Sequence, residues 1–148
     1  MGSVLGKITE ELPRHQVLKK TAAYEIRKYA PCVVAETSYS SAKGMMEGDQ
    51  GGSFMRLAKF IGVFRKAENE GQAAIAMTAP VLMSRARGGG GGSGEGDAYK
   101  MAFFLPASRF TKSADAPKPT SPDVTIVDIP ERTVATITFS GGENLPAV

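Results

Sequence analysis

Two stretches of this chain repeat at an offset of 100 residues, and that repeat limits the folds open to it. Ile26 matches Ile126, Val34 matches Val134, Ala35 matches Ala135 and Ser40 matches Ser140. Tyr24/Val124, Tyr29/Ile129 and Tyr39/Phe139 keep apolar character, and a proline break recurs one position apart, at Pro31 and Pro130. Each stretch reads as strand, break, strand, because alternating or β-branched runs flank a residue that cannot donate to a sheet ladder. The first pair covers Tyr24–Tyr29 and Cys32–Tyr39; the second covers Val124–Val127 and Thr133–Phe139, turned at Ile129–Arg132. The repeat divides a single domain, 1–148, into a first unit over 24–105 and the start of a second over 124–148. A second helix at the same offset would fall beyond Val148, so the chain reads as truncated in its second repeat.

Between the pairs the pattern changes. Residues 1–20 are polar and weakly patterned, and 40–52 (SSAKGMMEGDQGG) read as a loop. Ser53 then stands as an N-cap before Phe54–Phe64, the best helix of the chain, predicted over 53–64. Phe54, Leu57, Ala58 and Ile61 form its core-facing stripe. Gly62 weakens its last turn. Residues 73–83 (AAIAMTAPVLM), with Pro80 inside, suggest a buried strand carrying a bulge or an edge rather than a helix. The seven glycines of 88–96 mark a flexible loop, joining that strand to one over 99–105 as a long hairpin. Four prolines make 106–123 an extended linker.

Composition narrows the chemistry. Hydrophobic residues at 42% and charged residues at 22% fit a globular chain. The net charge is +3 with no basic cluster beyond pairs such as Lys19-Lys20 and Arg65-Lys66, which argues against nucleic acid as a partner. One cysteine, Cys32, excludes an internal disulfide framework, and one histidine, His15, excludes a two-histidine metal site within the chain. No run is long and apolar enough for a transmembrane segment, and the N-terminus lacks a secretory core. A cytoplasmic protein is the expectation, with a plastid address left open.

The helix has a second face, and it is too greasy for plain solvent. Met55, Arg56, Lys59, Phe60 and Val63 fall opposite the core stripe, mixing three large apolar residues with two cations. Composition alone favours cover by another part of the fold, with the cations stretching to water. The other option is a platform for a flat apolar ligand bearing carboxylates. His15 reads as solvated and Cys32 as an inert thiol. The carboxylates show no metal-loop spacing, and the glycine run lacks the Lys-Ser/Thr of a phosphate loop. No catalytic residue and no metal ligand is assigned.

Several motifs in order resemble a known family. Tyr24-Glu-Ile-Arg-Lys-Tyr-Ala-Pro31, Leu57-Ala-Lys-Phe-Ile-Gly62, Ile75-Ala-Met-Thr-Ala-Pro-Val81, Phe103-Phe-Leu-Pro106, Pro117-Lys-Pro119 and Phe139-Ser-Gly141 are similar to the SOUL haem-binding proteins, over about 13–141. The Val63-Phe64 extension and Glu68-Asn-Glu70 look like the plant and green-lineage cytosolic branch. The resemblance implies an α+β fold, an antiparallel, distorted β-barrel of two α+β repeats, and reversible binding of haem or another tetrapyrrole in an apolar cleft beside the 53–64 helix. It implies that Lys59 pairs with a propionate and that Phe54, Met55, Arg56 and Phe60 line the ligand; the helix's second face adds Val63 to that set. It reverses the preference on the helix's second face. A vertebrate member carries a histidine, proposed as axial ligand, in the segment matching Tyr24–Tyr29; Lys28 stands there in this chain. Binding through apolar contact and ion pairs is therefore expected.

The function expected is that of a non-catalytic tetrapyrrole carrier or buffer. The alternative is a protein-interaction or effector-sensing module of the same fold, with self-association through exposed strand edges. An enzyme acting on tetrapyrroles ranks last, because no acid–base pair is placed.

Overall fold

The computed structural model describes residues 11–41, 50–85 and 97–138. The order is β1 (His15–Lys20), β2 (Glu25–Tyr29), β3 (Cys32–Ser41), α1 (Gln50–Ile61), β4 (Val81–Arg85), β5 (Asp97–Phe104), a 3-10 turn (Ser113–Asp115), β6 (Thr125–Ile129) and β7 (Arg132–Thr136). The fold is α+β, with every strand pair antiparallel. Among the described residues the strands form two sheets, β1-β2-β7 and β4-β5-β3-β6, rather than a closed barrel.

The repeated stretches lie against each other. Glu25 opposes Thr136 and Tyr29 opposes Arg132 in one sheet, while Cys32 opposes Ile129 and Glu36 opposes Thr125 in the other. The partner numbers add to one constant throughout, so the two stretches form an antiparallel ribbon crossing from sheet to sheet. The crossing falls at Ala30-Pro31 and at Pro130-Glu131, where proline interrupts the ladder.

The core lies between α1 and one face of the four-stranded sheet. Leu57, Phe60 and Ile61 pack there with Val33, Ala35, Tyr39, Tyr99, Met101 and Phe103. A smaller cluster of Val34, Ala102 and Phe104 occupies the opposite face. The three-stranded sheet contributes no buried side chain. β1 is exposed at all six positions, which is why HQVLKK, with its two apolar residues and a bulge between Val17 and Lys19, gives no strand pattern in sequence.

Three sequence expectations need correction. Residues 73–80 form no strand; only Val81–Arg85 pairs with β5, and the cis Ala79–Pro80 peptide immediately precedes it. The 106–123 stretch includes a short 3-10 turn rather than only extended linker. The helix starts at Gln50, so Ser53 is no cap: it is fully buried inside α1 and accepts a hydrogen bond from Arg56 Nη2 at 2.9 Å. Gly51 and Gly52 stand inside the helix although their propensity for it is low. The glycine-rich run 88–96 and most of the 40–52 loop lie outside the described residues.

Gly62 ends the helix rather than merely weakening it. Its φ is +83°, its N–H reaches Lys59 O at 3.2 Å, and the Val63 N–H reaches Ala58 O at 3.1 Å. These are the two bonds of a Schellman cap. A Cβ there would also stand 3.0 Å from the Ala67 Cβ. Gly62→Ala is therefore expected to cost about 1–2 kcal/mol through left-handed strain and crowding, read as a lowered midpoint in urea unfolding.

Candidate functional site

The outward face of α1 is built by what the core takes from it. Leu57, Ala58, Phe60 and Ile61 are buried, with Phe60 only 1% exposed. The helical-wheel placement of Phe60 on the outward face is thus corrected. The buried arc is centred near Leu57 rather than Phe54, and Phe60 lies only roughly 60° of arc from Leu57. Phe54 is half-buried at the margin, edge-on to Phe103 with ring centroids 5.3 Å apart.

What remains outward on α1 is Met55, 40% exposed, with Lys59 partly exposed one turn on; Val63, 42% exposed, follows the left-handed turn at Gly62, outside the helix. No hydrogen bond or ion pair occupies the Lys59 ammonium among the described residues. Phe64, next in sequence, is 61% exposed. Sequence reasoning missed it, because a helix continued to residue 64 turns Phe64 toward the core. The left-handed turn at Gly62 instead sends it outward.

Arg56 has a different situation. Its Nε donates to Thr37 Oγ1 at 3.0 Å and its Nη2 to Ser38 O at 3.2 Å, tying α1 to β3. An open groove of about 470 Å³ runs beside it, lined by Thr37, Ser38, Arg56, Pro122, Asp123 and Thr125. Its walls are mostly polar, unlike an apolar cleft.

Asn69 is a second residue that sequence reasoning missed. It is 2% exposed, donates from Nδ2 to Phe60 O at 2.8 Å and to Ala73 O at 2.9 Å, and accepts the Ala73 N–H at 2.9 Å. The Glu68 N–H meets Lys59 O at 2.9 Å. These bonds fasten the segment after the helix against its last turn, and so fix where Lys59 and Val63 stand. A buried asparagine within an otherwise polar run carries no periodic signal.

The other reactive groups stand apart. His15 lies on exposed β1, its Nδ1 3.1 Å from Pro13 O and its ring 5.1 Å from that of Tyr29. Lys28 pairs with Glu131 at 3.3 Å. Burial pushes the half-buried Cys32 thiol above its ordinary pKa, against a smaller opposing effect from Arg132. Such a thiol is a poor nucleophile at neutral pH. Among the described residues no three His, Cys, Asp or Glu side chains group to hold a metal, and no helix is long and apolar enough to cross a membrane.

A two-faced helix on an antiparallel sheet, with the motif order of the sequence, meets one decisive observation: the SOUL heme-binding protein family model matches residues 10–147. The chain belongs to the SOUL haem-binding family. No curated protein matches it. SOUL proteins are, as a family, haem binders.

Proposed function

We propose that this protein is a non-catalytic carrier or buffer of haem or a related tetrapyrrole in the cytoplasm, binding it on the outward face of α1. The observation that carries this reading is the exposure of Met55, one turn before Lys59 on α1, and of Val63 just past the helix, in a SOUL protein. Bound haem would bring a flat apolar surface bearing two carboxylates. Met55 and Val63 meet its plane, with Phe64 beside them, and Lys59 meets a propionate. Phe54 and Phe60 support the helix from beneath, and Arg56 holds it against β3, its hydrogen bonds supporting that assignment.

Magnitudes rank these contacts. Removing about 100 Å² of apolar surface from water contributes about 2.5 kcal/mol. A solvent-exposed ion pair contributes about 1 kcal/mol or less. Lys59→Glu is therefore expected to raise the haemin Kd by about three- to thirtyfold without abolishing binding. The Soret band measures this during haemin titration of the whole chain. The loss should shrink at high salt, because screening weakens a surface pair. Absence of any saturable Soret shift in the wild-type chain contradicts the carrier function.

A further inference from the structure

We propose that Met55 is a reversible oxidation switch of the tetrapyrrole site, its thioether taken to the sulfoxide by hydrogen peroxide with loss of the ligand. The switch rests on the binding reading above and regulates that same site.

Met55, Met77, Met83 and Met101 lie among the described residues, and they differ in what a dissolved oxidant can reach. Met101 is 4% exposed within the main core, and Met83 is partly buried against it. A thioether inside a packed core is closed to an oxidant in water. Met55 is 40% exposed and Met77 36% exposed, so these two are open to attack. Only Met55 belongs to the outward face of α1; Met77 lies in the segment between α1 and β4. The Cys32 thiol competes poorly. It is half-buried, and burial favours its protonated form, whereas peroxide oxidises the thiolate.

The step needs only the peroxide. A lone pair of Met55 Sδ takes one peroxide oxygen, the O–O bond breaks, and the other oxygen leaves as water with both hydrogens. Sulfur gives up two electrons and the peroxide accepts them. The product alters the site in two ways. An apolar side chain becomes polar, so covering it with a porphyrin plane now costs desolvation. The new oxygen is also a hydrogen-bond acceptor one helical turn from Lys59, at the i, i+4 spacing where helix side chains meet. No hydrogen bond or ion pair holds the Lys59 ammonium among the described residues. The sulfoxide therefore competes with a propionate for that ammonium. Oxidation at Met77 does neither of these things. Sulfoxide reductases return the thioether, which makes the change a switch rather than a lesion.

The test compares haemin titrations of the whole 148-residue chain before and after treatment with hydrogen peroxide, removed before haemin is added. Each protein serves as its own reference, and peptide mass mapping locates the sulfoxides. In the wild type, mapping is expected to show oxidation at Met55 and Met77 ahead of Met83 and Met101. The haemin Kd is expected to rise about fivefold or more. Met55→Leu should lose this peroxide response, and Met77→Leu should keep it. Sulfoxide reductases for both epimers should return the oxidised wild type to its starting Kd. Four results overturn the switch while leaving the binding reading in place: Met55 spared by peroxide, a Met55 sulfoxide with unchanged Kd, a Met55→Leu chain that still responds, or a loss that reduction does not reverse. Absence of a saturable Soret shift before any peroxide overturns the binding reading, and the switch with it.

Discussion

Phe60→Ala is expected to lower the stability of the fold by about 3–5 kcal/mol. Phe60 is 1% exposed in the main core, against Leu57, Ile61 and the inner face of the four-stranded sheet. Its truncation removes the transfer energy of the ring and leaves a cavity that a helix fastened at both flanks cannot easily close. Arg56 fastens one side, through Thr37 and Ser38, and Asn69 the other, through the Phe60 carbonyl. For a chain of this size the loss corresponds to a fall in Tm of roughly 6–20 °C, measured by circular dichroism. Phe60→Leu separates support from contact. It should cost less than about 2 kcal/mol and leave the haemin Kd within about threefold of wild type, because the side chain does not reach the surface. A tenfold or larger rise with the fold intact would make Phe60 a direct contact.

The second large effect falls on the surface. Met55→Asp with Val63→Asp is expected to raise the haemin Kd about 100-fold or more, with little change in Tm. Both side chains are about two-fifths exposed, so the fold gains little from them. A bound porphyrin would lose apolar area at two points and meet two carboxylates that repel its own. This change should far exceed that of Lys59→Glu, since apolar burial outweighs an exposed ion pair. The opposite order would make the site electrostatic.

The parts legible in sequence are those with a periodic or β-branched pattern tied to burial. Cys32–Tyr39 and Tyr99–Leu105 read as strands because β3 and β5 bury side chains on both faces. The helix was legible because its buried residues recur at the helical spacing. β1 was not, since an edge strand exposed on both faces needs no alternation. Residues 73–80 misled in the other direction. Their apolar run suggests a strand, yet Ile75 is buried as a single anchor, its N–H on Ile61 O at 3.0 Å, while Met77 lies 36% exposed. At the candidate site, Met55 and Lys59 stand outward on α1 as the helical spacing predicts, while Val63 is exposed but lies past the end of the helix. Phe60 and Phe64 exchanged roles, because the buried arc and the stop at Gly62 are set by packing against the sheet and by Ala67. Neither neighbour is visible from the helix alone.

The proposed tetrapyrrole rests on Met55 and Lys59 of α1 and on Val63 just past it. Amide NMR spectra recorded during haemin titration test it most directly, since paramagnetic broadening marks the nearest residues. The broadening predicted is strongest at 55–64. Broadening centred on His15 and Lys28, with 55–64 unchanged, would contradict it.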